Sequence, residues 1–529
     1  MSKQGNHLTR REFLRMASLA AGGVLLSSCA PGATTPAPGG ETAATAAVTG
    51  PKIGGTMTIG ATAGIPQLDP HIVTYANERL YFPGLYNGIT EYNINMEPVP
   101  CLAESWDVSE DALTYTWHLR QGVKFHNGRE LEAEDIKWNF ERCLDEELGS
   151  QLRQNIQEVE TIEVVDKYTV KMYLNTPSVI LPMGAQELKI IAKECLEEIN
   201  TAPVGTGPYK YKDFIPDETL TLERYDDYWG GKPYLDVVII TAIKDSTAAL
   251  TALKTGQWDF FRGISTPDGA SLQGDPNLVI VEPPISSSNM FWELDVTSPP
   301  FDNKIARQAL SYAVDRQKIV DGPNFGYGRT SITNNFIAED HWAFNPNLTK
   351  YTYDLTKAKE LFDQAGIGPD TKLTWWTIAG SWPEWVQIGE ILVESLKEIG
   401  LNMDIQQNEV GAWVEPFYPS GKQYPGLVIP NGDTAALDPA YPLKFFASGR
   451  CECNYNDPRI DELLAIGKST LDKEKRKEAY QEIQAIVNDQ VQVIVPCSWV
   501  LLNAAQKHVE GAWVESGSQL HYESAWLNK

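Results

Sequence analysis

Residues 30–52 are almost entirely Ala, Thr, Gly and Pro, with no apolar periodicity and Glu41 as the one acid. Such a stretch cannot bury enough surface to offset the entropy of ordering, so the fold has to begin after it. It is expected to be a disordered tether, spanning roughly 25 Å as a flexible coil. Residues 1–29 fix the compartment. Thr9-Arg10-Arg11-Glu12-Phe13-Leu14 sets Arg10 and Arg11 ahead of an apolar run from Met16 to Leu26, the form of a twin-arginine signal peptide, which exports chains already folded. That run is too short to stay as a membrane span. Leu26-Ser27-Ser28-Cys29 has the form of a bacterial lipobox, so Cys29 is expected to be the lipidated first residue of an extracytoplasmic chain, in the periplasm or on the outer face of the cell membrane.

The roughly 475 residues that follow exceed a single core, since domains usually hold about 50–250 residues, and two or three lobes are expected. With 42% hydrophobic residues and fifteen tryptophans the remainder is not disordered. A net charge of −26 excludes nucleic acid and anionic membrane as partners, because neutralising phosphates takes clustered Lys and Arg. Beyond Cys29, the cysteines Cys101, Cys143 and Cys195 are scattered, and Cys451 and Cys453 stand too close to bridge each other comfortably. A disulfide through either of the last two stays open, since sequence cannot give connectivity. No metal or cofactor site is expected: the histidines are dispersed, and no CxxC, HExxH or EF-hand loop occurs.

Along the chain, Gly55 to Gly60 has the alternation of an opening strand, and Leu113 to Leu119 alternates before Gly122 and the Asn127-Gly128 turn, which predicts a hairpin. Glu132 to Phe140 carries acids at its start and an apolar face at helical spacing. Thr169 to Leu174, Leu220 to Arg224 and Asp236 to Ile240 are predicted strands. In the second half, helices over Asn303 to Val320, Leu355 to Ala365 and Glu390 to Ile399 alternate with strands over Leu373 to Thr377 and Asn402 to Gln406, the pattern of an α/β lobe. The charged helix from Lys473 to Asn488 is expected to present a solvated face.

Six stretches in order carry a resemblance: Gln67-Leu68-Asp69-Pro70-His71; Leu102-Ala103-Glu104-Ser105-Trp106; Leu113 through Gly128; Val204-Gly205-Thr206-Gly207-Pro208-Tyr209; Pro300-Phe301-Asp302 with Arg307-Gln308-Ala309-Leu310; and Ala313-Val314-Asp315-Arg316. Together they resemble the extracellular solute-binding proteins of family 5, the peptide- and nickel-type receptors of ABC importers, over nearly all of residues 53–510. The resemblance implies an α/β, two-lobed periplasmic-binding-protein fold (type II, cluster C) with an extra subdomain inserted in the first lobe. Mapped here, the first lobe takes 53–80, 196–295 and 505–529, the inserted subdomain 81–195, and the second lobe 296–504. It implies a monomer that closes on a small solute and delivers it to permease and ATPase subunits.

In peptide-binding members an aspartate neutralises the peptide's α-amino group, and Asp433 in Gly432-Asp433-Thr434-Ala435-Ala436-Leu437-Asp438-Pro439 is the match. The spacing departs from the family, with two extra residues before Asp438-Pro439, so amine binding and a turn role both stay open for Asp433 and Asp438. Trp413 matches a pocket tryptophan. Trp292, in Met290-Phe291-Trp292 on an expected first-lobe strand, Asn289 beside it and Tyr75 complete the implied cleft wall. Trp382 lies in the loop Gly380-Ser381-Trp382-Pro383, while Trp375 and Trp376 face opposite ways by strand alternation. No arginine stands between Ser420 and Asp433 to meet a peptide carboxylate, and aromatic platforms also suit sugars, so di- or oligopeptide, oligosaccharide and nickel chelate are the solute classes left open. An extracytoplasmic hydrolase is the other class of function. Against it, no Gly-x-Ser-x-Gly elbow occurs, Glu462 spoils the phosphate loop of Ile466-Gly467-Lys468-Ser469-Thr470, and Asp226-Asp227 reads as surface.

Overall fold

The computed structural model describes residues 50–529 apart from 62–63, 73–80, 244, 284–287, 380–382, 415, 417–422, 434–437, 450–454, 499 and 516–518. Pro51–Lys529 is one compact unit. Arg10, Arg11, Cys29 and the tether fall outside the described residues, as do Tyr75, Trp382, Cys451 and Cys453. Among the described residues no helix is long and apolar enough to cross a membrane, and Cys101, Cys143, Cys195 and Cys497 are free, buried thiols.

Two large sheets carry the architecture. The first has seven strands in the order Leu278–Val281, Leu502–Gln506, Phe260–Ile264, Thr56–Ala61, Val237–Ala242, Thr219–Arg224 and Tyr209–Ile215. Thr56–Ala61 pairs parallel with both its neighbours. The second has five strands in the order Met403–Asn408, Leu373–Ile378, Leu427–Asp433, Asn289–Leu294 and Val493–Ser498, the first three mutually parallel. Each has its own core, one around Met57, Ile59, Tyr209 and Leu222 and the other around Trp292, Leu310, Phe362 and Trp375. A four-stranded antiparallel sheet, Ala103–Val108, Thr114–Leu119, Thr169–Leu174 and Val159–Asp166, packs on the Ala133–Leu144 helix over a third core with Tyr115, Trp117 and Phe140.

The chain crosses between the large sheets over residues 282–288 and returns over 499–501. Leu278–Val281 lies antiparallel to Leu502–Gln506, and Asn289–Leu294 to Val493–Ser498, so the strands that flank the two crossings are neighbours in each sheet. Asn289–Leu294 is therefore a strand of the five-stranded sheet, not of the first lobe as the boundary at residue 295 implied, and Leu502–Ala504 belongs to the seven-stranded one. Short apolar runs with the same period do not say which sheet will take them.

Two helices depart from expectation. Asn303 to Val320 is split into Lys304–Tyr312 and Arg316–Asp321, because the Asp315 carboxylate accepts the Lys318 N–H at 2.9 Å and caps a new start. Lys473–Gln490 is not a wholly solvated helix: Tyr480, Ile483, Gln484 and Val487 are buried along one face. Gln484 disguises that face in the sequence, yet its amide is satisfied by Ala343 O at 2.7 Å.

Several motifs of the resemblance prove to be joints. Asp69 takes a two-pronged ion pair from Arg142 of the Ala133–Leu144 helix, at 3.0 and 2.6 Å. Burial holds the His71 imidazole down at about 4, hence neutral, so its Nε2–H donates to Lys189 O at 2.8 Å while Nδ1 accepts from Arg142 at 2.7 Å. Gly205 sits where a Cβ would lie 2.1 Å from Leu85 O, closer than any side chain tolerates. Buried Arg307 donates to Phe301 O (2.6 Å) and Gln490 O (2.9 Å), and buried Arg316 to Ser311 O (2.9 Å) and Tyr351 O (2.8 Å). Replacing Arg142 by Met strands the buried Asp69 carboxylate, and chemical denaturation should show a loss of about 3–5 kcal/mol.

The C-terminal segment is fastened by a second buried group. His521 stacks on Trp513 with ring centroids 4.0 Å apart and lies between Glu515 at 2.7 Å and Glu523 at 3.3 Å. Burial alone would lower its pKa, but the two carboxylates outweigh it and raise it to about 10. A folded pKa above the unfolded value gives stability that is complete below about pH 6.5 and fades as the pH climbs through the folded value. The unfolding midpoint should therefore fall between pH 7 and 10, and His521→Gln should flatten that fall; equal slopes would remove His521 from the account.

Candidate functional site

In open α/β sheets the crevice beyond the carboxyl ends of the parallel strands is where ligands sit, because loops diverge there and backbone N–H groups are exposed. In the five-stranded sheet that edge is Ile378, Asn408 and Asp433, the last residues of three parallel strands. The antiparallel partner brings Asn289 opposite Asp433, and Asn289 in turn stands opposite Ser498. The same edge is thus where both crossings leave for the seven-stranded sheet. The Val410–Val414 helix, which carries Trp413, follows one of the three strands directly.

The matching edge of the seven-stranded sheet holds Ala61, Arg262 and Asn503 side by side, with Val281 beyond. Arg262 and Asn503 are buried. Asn503 Oδ1 accepts the Gly263 N–H at 3.2 Å and its amide donates to Val281 O at 3.2 Å, holding a crossing strand to the sheet. Neither residue was singled out from sequence. The signal present was a cation inside the apolar strand Phe260-Phe261-Arg262-Gly263-Ile264.

The expected site residues divide. Asp433 and Asn289 stand opposite each other in register at the crevice edge, whereas Trp413 packs back along the sheet face toward the start of the Leu427–Asp433 strand. Asn289 Nδ2 donates to Phe336 O at 3.1 Å. Trp413 is half-buried, its ring 5.9 Å from that of Trp385, and it packs beside Trp376, Tyr424, Leu427 and Ile429 on the sheet face. Trp292, by contrast, is wholly covered, edge-on to Trp375 at 5.0 Å, with its indole N–H unbonded in the interior. The structure puts it in the second-lobe core rather than the cleft wall, because alternation along Asn289–Leu294 turns it to the face that the helices cover. Asp438 is likewise buried. Its carboxylate takes Arg476 at 2.5 Å and the Ala440 N–H at 3.0 Å, so it braces a turn. Trp375 is buried and Trp376 half-buried on the other face, as alternation predicts.

Two further cavities lie off the edge. A very small one sits by Glu293, Asp295, Tyr424 and Ile429 at the opposite ends of the same strands. There Asn431 Nδ2 donates to the buried Glu293 at 2.8 Å. An open groove by Pro300, Asp302, Gly366 and Lys372 lies on the outside of the second lobe. Among the described residues no group of His, Cys, Asp and Glu could hold a metal ion.

Comparison with known proteins agrees with this geometry. The model for bacterial extracellular solute-binding proteins, family 5 Middle, matches residues 97–450. The chain is 26% identical over 479 residues to the dipeptide-binding protein of Escherichia coli (strain K12), covering 83% of this chain and 88% of that protein. Among solved structures it resembles the ABC transporter substrate-binding protein CtaP of Listeria monocytogenes, with TM-score 0.82, 26% identity, and coverage of 90% of this chain and 100% of that one. It also resembles the periplasmic binding protein DppA of Helicobacter pylori in complex with the peptide STSA, with TM-score 0.74, 26% identity, and coverage of 90% and 99%.

Trp413→Ala should separate ligand contact from packing. A residue half-covered by Trp385 and the sheet should cost at most about 2 kcal/mol of stability on truncation, while ligand affinity falls at least about tenfold. Unchanged affinity would make Trp413 a packing residue alone.

Proposed function

We propose a ligand for this chain from one premise: it belongs to the bacterial extracellular solute-binding proteins of family 5. It is the substrate-binding component of an ABC importer, holding a small solute between two lobes for the membrane permease. The solute is a short peptide. The observation that carries this is the pairing of Asp433 with Asn289 at the carboxyl end of a parallel strand, where both crossings leave the sheet. A carboxylate at a closing crevice suits an α-ammonium, since little water screens the pair once the lobes meet. Relatives named for dipeptide binding support the same class.

Arg262 is the cation at the facing edge, and a guanidinium there has the charge and the planar shape that suit a ligand carboxylate. The two lobes of this reading are the seven-stranded sheet with the inserted subdomain, and residues 289–498. The chain binds and releases its ligand unchanged, with no catalytic step, and works as a monomer. The Leu26-Ser27-Ser28-Cys29 lipobox supports anchoring at Cys29, with residues 30–52 as the tether and twin-arginine export before it.

Thermal unfolding in the presence of short peptides, oligosaccharides and nickel chelates tests the ligand. A ligand at a hundred times its dissociation constant adds about 2.7 kcal/mol and raises the midpoint. Peptides should do so, and Asp433→Asn should weaken a peptide with a free amine about tenfold or more while leaving N-acetylated peptides unaffected. Stabilisation by sugars or chelates alone would overturn the peptide reading.

A further inference from the structure

Far along the chain from the crevice strands, the subdomain meets the second lobe directly. The last carbonyls of a helix lack partners within it. At the end of the Pro458–Ser469 helix, Lys468 O accepts the N–H of Val179, at 2.8 Å, from the loop after the Thr169–Leu174 strand. The Lys468 ammonium reaches Glu158 Oε1 at 2.9 Å, at the foot of the Val159–Asp166 strand. Their side chains are 32% and 13% exposed, a more enclosed pair than a surface one. Tyr441, in the short Ala440–Leu443 helix, packs among Tyr92, Met96, Met183 and Ile180 of the subdomain. Lys468 is also presented rigidly: Gly467 O accepts both Arg476 Nε at 2.8 Å and the Tyr480 hydroxyl at 2.9 Å, and Arg476 is held by Asp438.

These contacts join two parts of the molecule between which the chain passes over 282–288 and 499–501. Contacts between these two parts are of the kind that a rotation about the crossings can make or break. We propose that Lys468, with Glu158 and the Val179 amide, is a clasp that stabilises the closed arrangement and so sets the affinity for every ligand without touching any. The ligand and the clasp both favour the closed state, and their contributions to closure add. The clasp shares only its probes with the peptide reading; its geometry stands apart from it.

The test is calorimetric titration of the purified protein with Ala-Ala, Met-Leu and Gly-Tyr, together with small-angle scattering of empty and peptide-saturated samples. Lys468→Ala should weaken all three dipeptides by a common factor of about five to ten. Glu158→Gln, on the other partner, should do the same, which keeps the test readable if one variant fails to fold. The exchange Glu158→Lys with Lys468→Glu should recover most of the loss. Unchanged affinity, or a factor that differs from peptide to peptide, overturns the clasp, the latter because it would mean that Lys468 touches ligand. If no dipeptide binds the unaltered protein, the peptide reading fails by itself. The clasp is then judged on the empty protein, where a larger radius of gyration for Lys468→Ala upholds it and equal radii overturn it.

Discussion

Everything that makes this molecule two-lobed rests on two antiparallel strand pairs, one in each large sheet. Val281 faces Asn503 at one end of the crossings and Asn289 faces Ser498 at the other, so the chain leaves each sheet and re-enters it at one paired point. Two connections that leave from adjacent paired strands define the axis about which the lobes can turn. The loop before residue 331 stiffens the second-lobe end: Ser498 N–H donates to Arg329 O and Arg329 N–H to Ser498 Oγ, both at 2.8 Å. Nearer the first lobe, Gln273 Nε2 meets the Tyr327 hydroxyl at 2.9 Å.

That arrangement explains why the chain's recognisable motifs are not its ligand site. Asp69, His71, Gly205, Arg307 and Arg316 all stand where separate pieces of chain must be locked together, as ion pairs, as a glycine with no room for a side chain, or as buried guanidinium groups bonded to carbonyls. Such positions admit few substitutes, since stranding a buried charge or forcing a Cβ into a carbonyl costs several kcal/mol. The recognition machinery is under the opposite demand. It has to suit one particular solute and so keeps less of a common signature.

The sequence was accordingly legible in proportion to how local the cause was. Period, caps and turns gave the strands Leu373–Ile378 and Thr169–Leu174 and the helices Ala133–Leu144 and Leu355–Gln364 to within a residue or a few. The break at Asp315 was written in a capping residue but hidden by the apolar face running through it, and the buried face of Lys473–Gln490 was hidden by Gln484. Sheet membership of Asn289–Leu294 depended on partners more than a hundred residues away, which no local pattern encodes. Of the candidate site, Asp433 and Trp413 were singled out through the family resemblance, and Asp433 stands at the end of a parallel strand. Trp292 misled because an aromatic strand residue looks the same whether its face meets helices or a crevice, and Asp438 because its Arg476 partner is distant in sequence.

The paired ends of the crossings also bear on how such a chain can change over evolutionary time. Because Asn289 and Ser498 are neighbours in register, everything between them leaves the crossings and returns to them at nearly one point. Residues 289–498 are therefore an inserted cassette whose ends are already spliced, and insertions of that kind are well tolerated. A recombination event that exchanged this one contiguous stretch for its counterpart in a relative would carry over Asp433, Trp413 and Asn289 together, in one step.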